Sequence, residues 1–142
     1  NLPLIIANCD QYMRWNVNDF KKFLKKNDPD GCVLTYKSIN KKNSFVKLKK
    51  GKAIKFVEKK AISNHALIGV HYWKKTNDFF ISAKKYLKSK NINKEAYVSE
   101  TYNYMIGNKE IKIYELTKKE FFLLGTPKDL EKHKKALLNE QK

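Results

Sequence analysis

Long apolar runs, paired cysteines and arginine are largely missing from this sequence of 142 residues. No apolar stretch approaches the roughly 20 residues that a membrane-spanning helix needs, and the first residues do not form a cleavable signal peptide. We therefore expect a cytoplasmic protein that has no membrane partner. The two cysteines, Cys9 and Cys32, lack CxxC spacing and a histidine in a ligand pattern, which argues against a zinc site or a disulfide framework.

Acidic residues are also scarce, because 14 Asp and Glu stand against 31 Lys and Arg, which gives a net charge of +17 at pH 7. Such a charge attracts polyanions at low salt, and a basic nucleic-acid-binding module is one open interpretation. However, Arg14 is the only arginine, although arginine is best suited to bidentate phosphate and guanine contacts. The lysines form pairs dispersed along the whole chain, so we predict no specific nucleic-acid partner.

The beginning of the chain carries the strongest local signal. An apolar run over residues 2–7 leads into Asn8-Cys9-Asp10-Gln11. Unbroken apolar strands are typical of sheets that are covered on both faces, and ligands gather at the carboxyl ends of such strands. Asp10 is then placed to hold a hard cation and, through it, phosphate oxygens, or else it only caps the next turn. Because the sequence opens inside this strand, we expect a piece of a longer protein.

Helical and strand patterns alternate along the rest of the chain. The predicted helices cover residues 18–26 (capped by Asn18), 76–89, 97–106 and a lysine-rich segment opened by Asp129; the predicted strands cover 32–36, 66–73, 111–116 and 120–124, with a hairpin over 44–58 whose tip is Gly51. Gly69 lies inside a strand, where glycine often marks the close approach of a ligand or of another backbone. This order predicts an α/β layered domain.

Four motifs follow one another at spacings that suit one domain. They are Asn8-Cys9-Asp10-Gln11, Val57-Glu58-Lys59-Lys60, Ser63-Asn64-His65-Ala66-Leu67-Ile68-Gly69-Val70-His71-Tyr72 and Leu124-Gly125-Thr126-Pro127-Lys128-Asp129-Leu130. In order and kind they resemble the sugar-1-phosphate nucleotidylyltransferases of the nucleoside-triphosphate transferase family. More narrowly, they resemble bacterial members that activate small phosphorylated building blocks for surface polysaccharides.

The resemblance implies a fold and a reaction. The implied fold is a Rossmann-like mixed sheet flanked by helices, with an inserted β-hairpin, in which residues 1–133 form the C-terminal portion of the family's domain and 134–142 a lysine-rich tail. In the implied reaction, a phosphate oxygen of the acceptor attacks the α-phosphorus of a nucleoside triphosphate, CTP or UTP, and pyrophosphate leaves. Mg²⁺ neutralises charge, and the acceptor is a sugar-1-phosphate or a similar small molecule. Such transfer needs cations and in-line positioning rather than covalent help.

The resemblance also assigns roles to particular residues. Asp10 matches a metal-binding aspartate, Glu58 a carboxylate that accepts hydrogen bonds from sugar hydroxyls, and Lys59 a lysine that holds the acceptor's phosphate. Gly69 matches a glycine whose backbone approaches the acceptor. The remaining substrate-binding candidates share the same motifs or the same expected pocket, and Glu100 doubles as a candidate metal ligand; they are Asn8, Asn64, Glu95, Ser99 and Glu100.

Structural interpretations stand beside these roles. Glu58 and Lys59 form a solvated pair at a strand end in the alternative interpretation, and Gly69 only relieves crowding in the sheet. His65 and His71 are interpreted as strand residues near the core, because no nucleophile pairs with them and this reaction needs no histidine.

Two departures from the family's pattern bear on activity. The Gly-rich loop with an arginine that wraps the triphosphate is not in this sequence, so these residues alone are expected to bind a triphosphate poorly and to turn over little. Leu123 and Leu124 stand where many members carry a second metal-binding aspartate. Glu100 or another carboxylate replaces that aspartate, or else the domain is a non-catalytic one that only binds the acceptor.

Overall fold

The computed structural model describes residues 1–89 and 95–138. Its strands are β1 (Leu4–Ala7), β2 (Gln11–Met13), β3 (Gly31–Lys37), β4 (Ser44–Lys49), β5 (Lys52–Glu58), β6 (His65–Trp73), β7 (Ile111–Glu115) and β8 (Phe121–Leu123). Its α-helices are α1 (Val17–Asn27), α2 (Thr76–Ser89) and α3 (Pro127–Leu138), and a 3-10 helix covers Val98–Tyr104. No helix in these two ranges is both long enough and apolar enough to cross a membrane.

A mixed sheet forms the centre of the molecule, which confirms the predicted α/β class. Five strands follow the order β5-β4-β6-β3-β7, and β1 joins as a sixth by pairing with β6. The pairs are antiparallel except for β3 with β7, and β2 and β8 form a separate two-stranded sheet. Phe20 of α1 packs in the hydrophobic cluster on one face, and Tyr102 of the 3-10 helix packs in the cluster on the other.

The strands β1 and β4 share one edge of β6, and this geometry creates the site described below. Residues 4–7 of β1 pair with residues 70–73 of β6, whereas Phe45 of β4 pairs with Ala66 near the other end of β6. Gly69 lies between the two paired stretches. Its φ of +82° belongs to the left-handed region, which glycine adopts without a side-chain clash.

The prediction that β1 is covered on both faces is wrong. Its side chains alternate between half-buried and exposed, and Ile5 is 56% exposed. Leu4 and Ile6 pack against the core, while the opposite face of the strand meets no layer within the described residues. The apolar run therefore belongs to a strand with one packed face, which the unbroken pattern did not reveal.

The hairpin of β4 and β5 has its tip where it is predicted. Lys50 and Gly51 both have positive φ, +49° and +74°, as a two-residue hairpin turn of the I′ type requires. At the open end of the hairpin, Ser44 pairs with Glu58. Asn103 fixes the 3-10 helix against β5, because its side-chain amide accepts from the backbone N–H of Phe56 and donates to its carbonyl, at 2.8 and 2.9 Å.

Several element boundaries differ from the prediction. The cap of α1 is Asn16 and not Asn18, because the Asn16 side chain accepts from the backbone N–H of Asn18 at 2.9 Å. The helix predicted over 97–106 is a 3-10 helix and is shorter. The last helix begins at Pro127, and Thr126 caps it by accepting from the N–H of Asp129 at 3.1 Å. The short strand β2 has no counterpart in the sequence prediction.

Candidate functional site

A cleft of about 420 Å³ opens at the point where β1 and β4 diverge along β6. Its lining comes from the loop after β1, the open end of the hairpin, the middle of β6 and the segment that enters the 3-10 helix; the residues used below are Asn8, Ser44, Glu58, Gly69, His71, Tyr97 and Ser99. Four sequence-predicted binding residues are among them, namely Asn8, Glu58, Gly69 and Ser99. The fold therefore brings together residues as distant in the sequence as Asn8 and Ser99.

Gly69 lies in close contact with Asn8. The backbone N–H of Asn8 donates to the carbonyl of Gly69 at 2.9 Å, and a Cβ on Gly69 would lie 2.3 Å from Asn8 Nδ2. A Cβ would overlap the exposed Asn8 side chain unless that side chain turned away, and the left-handed φ of Gly69 favours glycine in any case. The close approach that its position in the strand predicts is therefore present, and the approaching group in this structure is the side chain of Asn8.

Glu58 reaches the cleft from the end of β5. It is half-buried, and its carboxylate accepts a hydrogen bond from the Ser44 hydroxyl on the paired strand. This bond holds one carboxylate oxygen in place. A carboxylate fixed in this manner is suited to accept further hydrogen bonds from hydroxyl groups of a bound molecule.

Lys59 stands at the rim of the cleft and is joined to it through Tyr97. Lys59 follows directly after β5 and has a φ of +53°, which is unusual for a residue other than glycine. The ammonium donates to the Tyr97 hydroxyl at 2.8 Å and lies 3.7 Å from the Glu95 carboxylate, to which Tyr97 also donates. The hydrogen bond to Tyr97 is the main cause that raises the pKa of Lys59. Lys59 is thus a cation placed beside the cleft.

The sequence analysis does not predict that Tyr97 and His71 line the cleft. Tyr97 lines the cleft and links Lys59 with Glu95, whereas the sequence pattern indicates only that it begins a helix. Its position between Glu95 and Ser99 was the available signal. His71 lines the cleft as well as being buried, whereas the sequence interpretation placed it near the core.

Asp10 lies near the cleft, on the loop between β1 and β2, and its side chain is exposed. Its carbonyl accepts from the N–H of Leu124 at 2.9 Å, and a Cβ on Gly125 would lie 2.6 Å from Asp10 Oδ2. The carboxylate thus rests against the Gly125-Thr126 turn. Leu123, one residue before Leu124, is exposed and lines the cleft.

Asp10 alone provides an incomplete metal site. In the described part of the chain, no three His, Cys, Asp or Glu side chains group closely enough to hold a metal ion. Mg²⁺ commonly binds one or two carboxylates together with waters and substrate phosphates, so an exposed Asp10 fits the ion only when a phosphate completes the site. Glu100 accepts a hydrogen bond from Tyr86 of α2, and its role as a second ligand stays a prediction.

Four of the predicted binding residues are not among those that line the cleft, namely Lys59, Asn64, Glu95 and Glu100. Lys59 and Glu95 are linked to the lining residue Tyr97, whereas Asn64 lies elsewhere. Its side chain is exposed, and its carbonyl accepts from the backbone N–H of Ser38 at 3.1 Å. It lines a separate, open depression together with Lys37 and Lys118.

Comparison with solved structures places this fold in a known group. The chain is 19% identical to a nucleoside-diphosphate-sugar pyrophosphorylase from Vibrio cholerae RC9, with a TM-score of 0.79, and the match covers 92% of this chain and 55% of the other. It is 16% identical to a UDP-glucose pyrophosphorylase solved with UDP-glucose, with a TM-score of 0.80 and coverage of 99% and 57%. A Bacillus anthracis structure described as a glucose-1-phosphate thymidylyltransferase, in complex with sucrose, is 14% identical, with a TM-score of 0.73 and coverage of 96% and 55%.

These structural similarities establish the fold class of this chain. The chain has the α/β fold that is found in sugar nucleotidyltransferases, and it spans just over half the length of each of these structures. No protein-family model and no curated protein sequence matches it.

Proposed function

We propose that this chain forms the acceptor-binding and metal-binding part of a nucleotidyltransferase. The enzyme transfers a nucleoside monophosphate from a triphosphate, CTP or UTP, to a sugar-1-phosphate or a similar phosphorylated acceptor. A phosphate oxygen of the acceptor forms a bond to the α-phosphorus, the bond to the β,γ-unit breaks, and pyrophosphate leaves with its electron pair. We place this reaction in the synthesis of precursors for surface polysaccharides.

One observation carries the proposal. The fold shared with sugar nucleotide pyrophosphorylases has, in this chain, a cleft that gathers Asn8, Glu58 and Gly69, with Lys59 at its rim. Glu58 suits the hydroxyls of a sugar, because a fixed carboxylate accepts their hydrogen bonds. Lys59 suits a phosphate, because an ammonium group at the rim can bind it as a point charge.

Asp10 is the residue that we assign to the metal ion. Its carboxylate is exposed and rests against Gly125, near the cleft residue Leu123. When bound there, Mg²⁺ would neutralise charge on the phosphate oxygens of the reactants. Asp10 would hold the ion, and Lys59 would keep the acceptor's phosphate oriented toward it.

The position of Leu123 favours a second candidate function, a domain that binds the acceptor without catalysis. Leu123 is exposed in the cleft at the point where the resemblance leads one to expect a second metal-binding carboxylate. A domain of this kind would keep the cleft but would not bind the ion strongly enough for transfer.

An assay of pyrophosphate release by the full-length gene product separates the two functions. CTP and UTP are each offered with a panel of sugar-1-phosphates in the presence of Mg²⁺, while calorimetry measures acceptor binding in parallel. Release that depends on the acceptor supports the enzyme. Binding of a sugar-1-phosphate without release supports the non-catalytic domain, and the failure of every phosphorylated acceptor to bind would contradict both.

A further inference from the structure

Two polar side chains lie deep in the cleft, each with a polar atom that has no hydrogen-bond partner. His71 is 6% exposed and Ser99 is 4% exposed, and both residues line the cleft. In the part of the chain that the structure describes, His71 Nδ1 and Ser99 Oγ make no hydrogen bond. Buried polar atoms in proteins almost always have a partner. A molecule bound in the cleft can supply the partner that the protein does not.

Buried hydroxyl groups outside the cleft differ in this respect. Thr35 on β3 also has no partner among the described residues, whereas two helical hydroxyl groups bond to their own helix. Thr101 donates to the carbonyl of Val98 at 2.7 Å, and Ser82 donates to the carbonyl of Phe79 at 2.9 Å. Both bonds reach back three residues along a helix, which is a common local arrangement. Ser99 lies on the same 3-10 helix as Thr101, but its hydroxyl makes no such bond among the described residues. It is therefore available to a partner outside the helix.

Aromatic packing holds the ring of His71 in a fixed position. The rings of Trp73 and Tyr102 stack with centroids 4.6 Å apart. The centroid of the His71 ring lies 6.0 Å from that of Trp73 and 5.9 Å from that of Tyr102. Tyr102 is fixed in turn, since its hydroxyl donates to the carbonyl of Tyr72 at 3.0 Å. Residues three apart in a 3-10 helix point in the same direction, so Ser99 and Tyr102 share one side. One helix thus presents Ser99 to the cleft and fixes His71.

Among the residues that the structure describes, those deep in the cleft carry no charge near neutral pH. Burial lowers the pKa of His71 to about 4, so its imidazole is neutral and offers one donor and one acceptor. The charged groups are nearer to solvent, because Lys42 is exposed, Glu58 is half-buried and Lys59 reaches the cleft through Tyr97. A phosphate therefore fits the rim, and an uncharged polar group fits the bottom.

We propose that His71 and Ser99 are specificity-determining residues, which bind an uncharged hydrogen-bonding substituent of the acceptor, either a hydroxyl or an acetamido group. This inference rests on the proposed function, because it takes the occupant of the cleft to be a phosphorylated sugar. A carboxylate substituent at the same place would be rejected, since neither side chain can balance its charge after it loses water. The acceptor class is thus a neutral sugar phosphate rather than a uronic acid phosphate.

Calorimetry with defined probes tests the assignment on the full-length protein. The probes are glucose 1-phosphate, N-acetylglucosamine 1-phosphate, glucuronic acid 1-phosphate, the monodeoxy forms of glucose 1-phosphate, and inorganic phosphate. We expect at least one of the two neutral sugar phosphates to bind about tenfold or more tightly than the uronic acid form. Ser99→Ala and His71→Gln should each weaken the binding of that neutral probe by about tenfold and leave inorganic phosphate unaffected. The monodeoxy probe that lacks the contacted group should bind the variants and the wild type equally.

A matched control separates binding from stability. Ser82→Ala removes a buried hydroxyl that has a partner, so it should lower the melting temperature and leave probe binding unchanged. Ser99→Ala removes a hydroxyl that has no partner within the described residues, so the melting temperature should not fall. Equal affinity of the wild type for neutral and uronic acid probes, or unchanged affinity in both cleft variants, would overturn this inference while the proposed function stands. If the wild type binds no sugar phosphate at all, both fall together.

Discussion

The cleft and the Asp10 loop lie close together but are built very differently. In the cleft, side chains from four separate segments converge, and the positions of Glu58, Lys59 and His71 are each fixed by a neighbouring side chain. On the loop, Asp10 is an exposed carboxylate that rests against a glycine, with Leu123 and Leu124 nearby. One region is preorganised within this chain, whereas Asp10 would need a bound phosphate or further ligands before it could hold a metal ion.

This difference indicates how the two tasks of the proposed enzyme are divided. Acceptor recognition depends on many weak contacts, so it benefits from side chains that are already in place before binding. Charge neutralisation depends on a cation and on the phosphates themselves, so one well-placed carboxylate can contribute much with little surrounding structure. We therefore expect substitutions in the loop to affect the rate and substitutions in the cleft to affect affinity or stability.

The largest expected effect comes from Asp10→Asn. In the full-length enzyme this change should lower nucleotidyl transfer by about a hundredfold or more, because an amide cannot replace the charge that holds the ion. Acceptor affinity and the melting temperature should stay close to wild type, since Asp10 is exposed. Asp19→Asn, at an exposed position on α1, serves as the charge-matched control. Turnover at the wild-type rate in Asp10→Asn would remove Asp10 from the metal role.

Gly69→Ala should lower the free energy of unfolding by roughly 2 kcal/mol, because backbone strain adds to the cost of displacing the exposed Asn8 side chain. The new Cβ would be forced both into a left-handed conformation and against the side chain of Asn8. Gly51→Ala is the matched control, since Gly51 also has positive φ but no heavy atom lies within 4 Å of the position that a Cβ would take there. That variant should lose only about 1 kcal/mol, from strain alone. Denaturant unfolding measures both, and equal losses would argue against the Asn8 contact.

Several parts of the fold are predictable because local signals agree with packing. The sequence pattern places α2 over residues 76–89, and the structure has it over Thr76–Ser89. The polar segment before Gly51 marks the hairpin tip, and Gly69 within an apolar strand marks a close approach. The cleft residues Asn8, Glu58 and Ser99 come from motifs read in order along the chain. Their convergence in space follows from the sheet topology.

The parts that could not be predicted depend on contacts between distant segments. Lys59 adopts a left-handed backbone conformation that no lysine prefers, and only this turn brings its ammonium to Tyr97, 38 residues further along. The segment over 97–106 has a pattern that also suits an α-helix. Asn103 binds the backbone of β5 instead, and the helix that forms is of the tighter 3-10 type. His71 is buried on β6, as its interpretation as a strand residue near the core predicts, but sequence spacing does not show that its ring packs against Tyr102.

His71 makes the stability of the cleft region depend on pH. Burial lowers its pKa from 6.5 to about 4, so between these values the unfolded chain binds a proton that the folded chain does not. The contribution of the neutral His71 to the free energy of unfolding is therefore complete above pH 6.5 and is lost as the pH falls to 4, a change on the order of 3 kcal/mol. Unfolding measured across this range should show a shallower slope in His71→Gln than in the wild type. Identical slopes in the wild type and in His71→Gln would contradict the burial of a neutral ring.

The smallest expected effect is the most selective one, because it tests whether the rim of the cleft holds a phosphate. Lys59→Ala should weaken acceptor binding about tenfold, since a fixed ammonium is lost, while triphosphate affinity changes little. Lys60→Ala, at the next position and also exposed, removes the same charge without the contact to Tyr97. If the rim works through position rather than through overall charge, only the first variant should lose acceptor affinity. Equal losses for acceptor and triphosphate, or for both lysine variants, would mean that Lys59 acts only as part of the net positive charge of the chain. In that case the preorganised cleft would end at Tyr97, and the phosphate would be held elsewhere.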